Sequence, residues 1–286
     1  MEFAESRDRD ALAEFFRRRE STHVYGLADL DRPFWPDVRA FTAMDGGVIV
    51  AVVLCLDALR VPLVYAVAPP DDEPTRELLR AVASEIATPC VATLSLGVAS
   101  ALGWDFDSAG EFLKMRLRSE VRPGDLAEHS SAHRLDTSDL DELRGFLEGR
   151  AYAEGEGGFF QPYMLELGPY YAIRDAGEIV AAGGVHVLSE RHGVAGLGNI
   201  VTHPGFRGRG YAGVITRALC RELIPRISVI ALNVRRDNAP AVRCYTSVGF
   251  EPVLHYEEGW IRTSLAPATT TGRSSKTHVS PRTDGP

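Results

Sequence analysis

The chain has 286 residues, 45% of them hydrophobic, enough for a large buried core and a prior of two domains. Its formal net charge of −8 argues against a nucleic-acid surface, which would carry a basic excess or stripe. No apolar run reaches the roughly 18 residues of a spanning helix, and Met1-Glu2-Phe3-Ala4-Glu5 lacks a basic start and apolar core. Neither a membrane span nor a signal peptide is therefore expected.

The cysteines at 55, 90, 220 and 244 show no C-x-x-C spacing and read as small buried apolar residues of a reducing cytoplasm. Lys114 and Lys276 are the only lysines, and arginine carries the remaining positive charge, as in a high-GC bacterial genome. His23, His129, His133, His192 and His255 have no metal spacing, so no metal is assigned.

Taken in chain order, Asp45-Gly46-Gly47 turns into the apolar strand 48–56. A second strand over 61–67 ends at Ala68-Pro69-Pro70, and a helix follows from about Thr75. Residues 122–131, beginning Arg122-Pro123-Gly124-Asp125, read as a linker. A helix over 138–148 takes Thr137 or Ser138 as its cap. Residues 170–174 and 178–186 form a hairpin around Asp175-Ala176-Gly177. The strand 194–202 ends at His203-Pro204, and a helix from about Arg209 puts Tyr211, Ile215, Ala218, Leu219 and Leu223 on one face until Pro225. A buried strand over 228–234 and a short helix capped by Asn238 and stopped by Gly249 follow. From residue 266 on, Thr, Ser, Gly and Pro predict a disordered tail. Each half thus reads helix, hairpin, strand, helix, which suggests two copies of one fold.

The copies diverge after the strand that ends in Pro. His203-Pro204 leads to Gly205-Phe206-Arg207-Gly208-Arg209-Gly210-Tyr211-Ala212, a basic glycine-rich loop fitting R-x-x-G-x-G/A and opening a helix. Close backbone approach, free helical N–H groups, the dipole and two arginines make a pyrophosphate pocket. A Walker loop is excluded for want of Gly-Lys-Ser/Thr, and a dinucleotide fingerprint fits the glycines only loosely. In the first copy Pro69-Pro70 leads to Asp71-Asp72-Glu73-Pro74, whose carboxylates would repel a phosphate.

A second motif follows the loop. Asn238, Ala241, Tyr245 and Gly249-Phe250 fall in register with N-x-x-A-x-x-x-Y-x-x-x-G-F. With the Arg207–Ala212 loop, it resembles the GNAT acyltransferase superfamily over about residues 134–265; over the first 125 the resemblance is topological. It implies an α/β (α+β) fold of two tandem GNAT-like domains, each a mixed, mostly antiparallel sheet with flanking helices and a splayed central strand pair. Residues 1–125 would be degenerate, 126–265 catalytic and 266–286 tail.

The resemblance also implies function and site. Acetyl-CoA would lie between strands 194–202 and 228–234, with pantetheine pairing as an added strand. The backbone of Ile200, Val201 and Thr202 would hold its acetyl end. The loop Arg207, Gly208, Arg209, Gly210, Tyr211, Ala212 and Gly213 would hold the pyrophosphate, and Asn238 would meet the arm. Tyr245 sits where the family places the acid for the leaving thiolate. Many relatives carry a glutamate base five residues before the pantetheine Asn. Here that position is Asn233, which takes no proton. Candidates for that task and for acceptor binding are His186, Glu166, Glu154 and Glu156, with Phe159 in the same acidic, aromatic loop. The acceptor would be a small-molecule or peptide amine, with no nucleic acid or membrane partner, and a homodimer is compatible with the sequence. The alternative is a non-catalytic acyl-CoA-binding regulatory module.

Overall fold

Both hairpin turns form, with positive φ at Gly46 and Gly47 and again at Ala176 and Gly177, the hairpin geometry that matches strand twist. The computed structural model describes residues 1–31, 33–35, 37–57, 61–69, 71–126, 131–149 and 160–263. The tail expected from 266 lies outside them. In the first half come β1 (Glu2–Ser6), α1 (Arg9–Arg17), α2 (Val24–Asp29), β2 (Val38–Asp45), β3 (Val48–Leu56), β4 (Leu63–Ala66), α3 (Glu73–Ala81), β5 (Cys90–Ser95), α4 (Val98–Leu102) and β6 (Phe106–Leu117). The second half has β7 (His133–Arg134), α5 (Leu140–Glu148), α6 (Met164–Leu167), β8 (Tyr170–Asp175), β9 (Glu178–Ser189), β10 (Val194–Thr202), α7 (Tyr211–Leu223), β11 (Val229–Arg235), α8 (Ala239–Val248) and β12 (Phe250–Ile261).

These strands form one 12-stranded sheet, ordered β1-β2-β3-β4-β5-β12-β6-β11-β10-β9-β8-β7. Adding six to each label of the first half gives the second half, and the order then reads as its own reverse. The chain therefore carries an internal two-fold relation centred between β6 and β12. The last strand of each half crosses over: β12 pairs with β5, and β6 pairs with β11. Among the described residues only β4–β5 and β10–β11 are parallel pairs. The sheet runs unbroken past the sequence boundary at 125.

Strand alternation sorts the core into two layers. On one face, Val52, Leu54, Val229 and Ala231 pack with Leu12, Phe16, Val24 and Leu27 of α1 and α2, and a neighbouring cluster joins α5 and α6 to Tyr170, Ala182 and Val201. On the other, Ala51, Val53 and Cys55 pack with α3, while Ile230, Leu232 and Val234 pack with α7 and Tyr245 of α8. Helix α2 crosses to the second half and lies against β9, β10 and β11.

The caps depart from expectation once. Asp136, not Thr137 or Ser138, accepts the Ser138 N–H, and a short 3-10 turn, Thr137–Asp139, precedes α5. A carboxylate is the stronger acceptor where both are available. Asn238 does cap α8, its Oδ1 accepting the Ala241 N–H at 3.2 Å. Cys55, Cys90 and Cys220 are buried and Cys244 half-buried. No helix among the described residues is long and apolar enough to cross a membrane.

In the first half the opening between the parallel strands is plugged. Beyond the Ala66↔Leu94 pair, the Ser95 hydroxyl accepts the Ala68 N–H at 2.8 Å and donates to the Ala68 carbonyl at 3.1 Å. Ser95→Ala should therefore cost about 1–3 kcal/mol, the cost of stranding buried backbone groups, read by denaturant unfolding. An unchanged stability would show that water replaces the plug.

Candidate active site

In the second half the equivalent strands part. Parallel pairing runs from Val194↔Val229 to Leu197↔Leu232 and stops. β11 continues along β6 through Arg235↔Phe112. β10 instead stays with β9, passing through an irregularity between Gly198 and Val201 with Asn199 at φ 52°. A wedge opens between Gly198–Thr202 and Asn233–Arg235. Ile200, Val201 and Thr202 line its β10 side, and their backbone has no β11 partner to pair with.

The glycine-rich loop lies just beyond Thr202. His203 Nδ1 accepts the Gly205 N–H at 3.2 Å and shapes a turn over Pro204–Phe206. Gly208 and Gly210 both sit at φ 79°, a region side chains rarely adopt, and nothing lies within 4 Å of a Cβ built on either. Gly210 is the N-cap of α7 and supplies no side-chain cap. The first intrahelical bond is Val214 N–H to the Gly210 carbonyl, so the amides of Tyr211, Ala212 and Gly213 precede it. The Arg209 guanidinium stacks on Phe206 at 4.7 Å, and Arg207 Nε donates to the Thr202 carbonyl at 3.4 Å. Open space, unpaired amides and two arginines fit a pyrophosphate.

The counterpart helix α3 is closed to an anion. Its N-cap is Asp72, whose carboxylate accepts the Thr75 N–H at 3.0 Å, and Pro74 removes another donor. At Gly210 no side chain caps the helix start, whereas at Asp72 a carboxylate does.

Tyr245 is 7% exposed, in the cluster between α8 and the sheet, with its ring edge-on to Phe250. No described residue hydrogen-bonds its hydroxyl, and burial raises it above the ordinary tyrosine value, so it holds its proton at neutral pH. Asn238 is half-buried with its Oδ1 committed to the cap.

The opposite face of the wedge is polar. The His186 ring lies over Gly198, where any Cβ would clash with it, and bonds Asn199. Burial lowers its pKa, so the imidazole is neutral. Glu166 is exposed on α6, away from these groups' buried setting. Glu154, Glu156 and Phe159 lie outside the described residues.

One group escaped the sequence reading. Lys114 of β6 pairs in register with Asn233, is 0% exposed, and lies 4.4, 5.7 and 5.9 Å from the ring centroids of Tyr25, Tyr256 and Tyr65. The available signal was one of two lysines inside a strand, between Leu113 and Met115.

The residues from 134 to 250 match the Acetyltransferase (GNAT) family. This stretch is similar to GNAT acetyltransferase domains. No curated protein matches the chain. Among solved structures, a Drosophila protein superposes with a TM-score of 0.61 at 14% identity, covering 91% of this chain and 98% of its own. A tandem GNAT protein from the clavulanic acid biosynthesis pathway gives 0.56 at 16%, covering 93% and 99%. A GCN5-related N-acetyltransferase from Sphaerobacter thermophilus gives 0.55 at 15%, covering 93% and 97%. At these identities the likeness is one of fold, and it spans both halves. The matched stretch contains the wedge, the Arg207–Gly213 loop and Tyr245.

Proposed function

We propose that this chain is an acetyl-CoA-dependent N-acetyltransferase, with residues 126–265 as its catalytic half and 1–125 as a degenerate copy that supports it. The observation that carries the reading is the parting of β10 and β11 after Leu197↔Leu232, with the uncapped start of α7 just beyond. Acetyl-CoA supplies the activated acetyl thioester. The backbone of Ile200, Val201 and Thr202 would pair with its arm as an edge strand does. The 211–213 amides with Arg207 and Arg209 would neutralise its pyrophosphate. Asn238 retains its Nδ2 donor for the arm. Tyr245, kept protonated by burial, would give its proton to the departing thiolate. The acceptor, a small-molecule or peptide amine, would attack directly, with no acyl-enzyme.

The rival reading, a non-catalytic acyl-CoA-binding module, draws on the carboxamide at Asn233, where many relatives carry a base. Thiol release from acetyl-CoA with a panel of primary amines tests the two. Amine-dependent thiol release supports the enzyme; saturable acetyl-CoA binding without it, across alkylamines, aminosugars and lysine peptides, supports the module.

A further inference from the structure

Several buried polar atoms on the α2 face of the sheet have no hydrogen-bond partner among the described residues. They are Lys114 Nζ, Asn233 Oδ1, His186 Nε2 and Tyr163 Oη. Buried groups of this kind are rare in a finished core, and their gathering around one opening marks a place where a ligand completes them. Asn233 is the first residue of β11 past the last parallel pair, at the start of the wedge, and Lys114 faces it across the strands. The Tyr25 ring lies against Gly196 of β10, two residues before the opening, and the Lys114 ammonium lies over that ring, which sets α2 beside the mouth of the wedge. Asp29 is one turn along from Tyr25 and shares its helix face. It is 6% exposed, and no described residue donates a hydrogen bond to its carboxylate.

We propose, building on the acetyltransferase reading above, that Asp29 takes the proton from a cationic acceptor amine bound between α2 and the wedge. The first half would then supply the base that Asn233 does not. The groups whose charge couples to Asp29 are Lys114 from β6, Tyr65 from β4, Tyr25 of α2 and Tyr163 ahead of α6; Lys114 in turn couples to Glu258 of β12 and His23 before α2, and Tyr256 of β12 hydrogen-bonds Glu258. Burial pushes Asp29 up to about 7, while the Lys114 ammonium pulls it down. Burial brings Lys114 down to about 7. Between the two candidate bases, burial decides: it makes a carboxylate a stronger base and an imidazole such as His186 a weaker one. Lys114 acts as a positioning residue that tunes Asp29.

In the proposed step the ammonium gives one proton to Asp29. The neutral nitrogen forms the C–N bond to the thioester carbon as the C–S bond breaks, and the bonding pair goes to sulfur. Sulfur takes the Tyr245 proton, and the phenolate recovers the surplus N–H proton. Asp29 then returns its proton to water.

The test is the pH profile of kcat/KM with a protonated alkylamine, spermidine first, in the intact chain. The parent should rise through about 7 as Asp29 ionises. Asp29→Asn should lose about 10²-fold or more and lack that limb, its residual rate following the amine's own ionisation. Lys114→Met should shift the limb to higher pH, because the charge that holds Asp29 down is gone. Both variants should bind acetyl-CoA as the parent does, which controls for folding. An Asp29→Asn enzyme with the parent's rate and limb would overturn the proposal, as would a limb that disappears in His186→Gln alone. If the parent released no thiol with any amine, the acetyltransferase reading would fall and this proposal with it; the first two results would leave that reading standing.

Discussion

Ala212→Glu is expected to reduce acetyl-CoA affinity by about 10²-fold or more without destabilising the protein. The variant places a carboxylate in the first turn of α7, next to the open space at Gly208 and Gly210. A charge about 5 Å from one phosphate charge costs about 3 kcal/mol at an effective dielectric near 20. The same carboxylate suits a helix N-terminus, contributing about 0.3–1 kcal/mol to the fold. In the first half a carboxylate, Asp72, already stands at the start of the counterpart helix, at its N-cap. Binding and stability thus move in opposite directions, which a damaged fold would not do. Calorimetry and a thermal melt read the two. Unchanged affinity would remove the loop from the cofactor site.

Tyr245→Phe should lower turnover by about 10²-fold and leave acetyl-CoA affinity nearly unchanged. The phenylalanine ring keeps the contact with Phe250 and the packing against Leu232 and Val234. The hydroxyl accepts and donates no hydrogen bond to a described residue, so its loss should strand no partner. General acid catalysis contributes about 10²–10⁴-fold, and a thiolate leaves readily enough to put this case at the lower end. With chemistry shown to be rate-limiting, a variant as fast as the parent would reduce Tyr245 to a packing residue.

The local geometry of the candidate site was legible in the sequence. The Arg207–Ala212 loop needs only its own glycines and the helix behind it. Asn238, Tyr245 and Gly249 are spaced by one short helix, and that helix forms between Ala239 and Val248. Hairpin turns are local too, and both appeared where Asp45-Gly46-Gly47 and Asp175-Ala176-Gly177 placed them. Boundaries were less legible. β9 runs on to Ser189, past the His186 end read from alternation, because Val194 of β10 continues the pairing with it.

The rest depends on contacts between distant residues. Nothing near residue 106 says that β6 will pair with β11, or that β12 will enter between β5 and β6. Two nearly equivalent partners exist for each last strand, and only the assembled sheet chooses. The Ser95 plug joins residues 27 apart in sequence. The acidic run after Pro69 suggested an anion site already lost, but the physical closure required Ser95 and the Asp72 cap together. Lys114 was invisible for a different reason: a lysine in an apolar strand reads as an edge or a solvated position until three tyrosine rings enclose it.

One acetyl-CoA site per chain is expected, in the wedge between β10 and β11. Calorimetric titration of the intact protein with acetyl-CoA tests it directly. A stoichiometry of one is expected, with the affinity lowered by about 10²-fold or more in Ala212→Glu and unchanged in Ser95→Ala. Two equivalent sites per chain, or a single site that survives Ala212→Glu with full affinity, would contradict it.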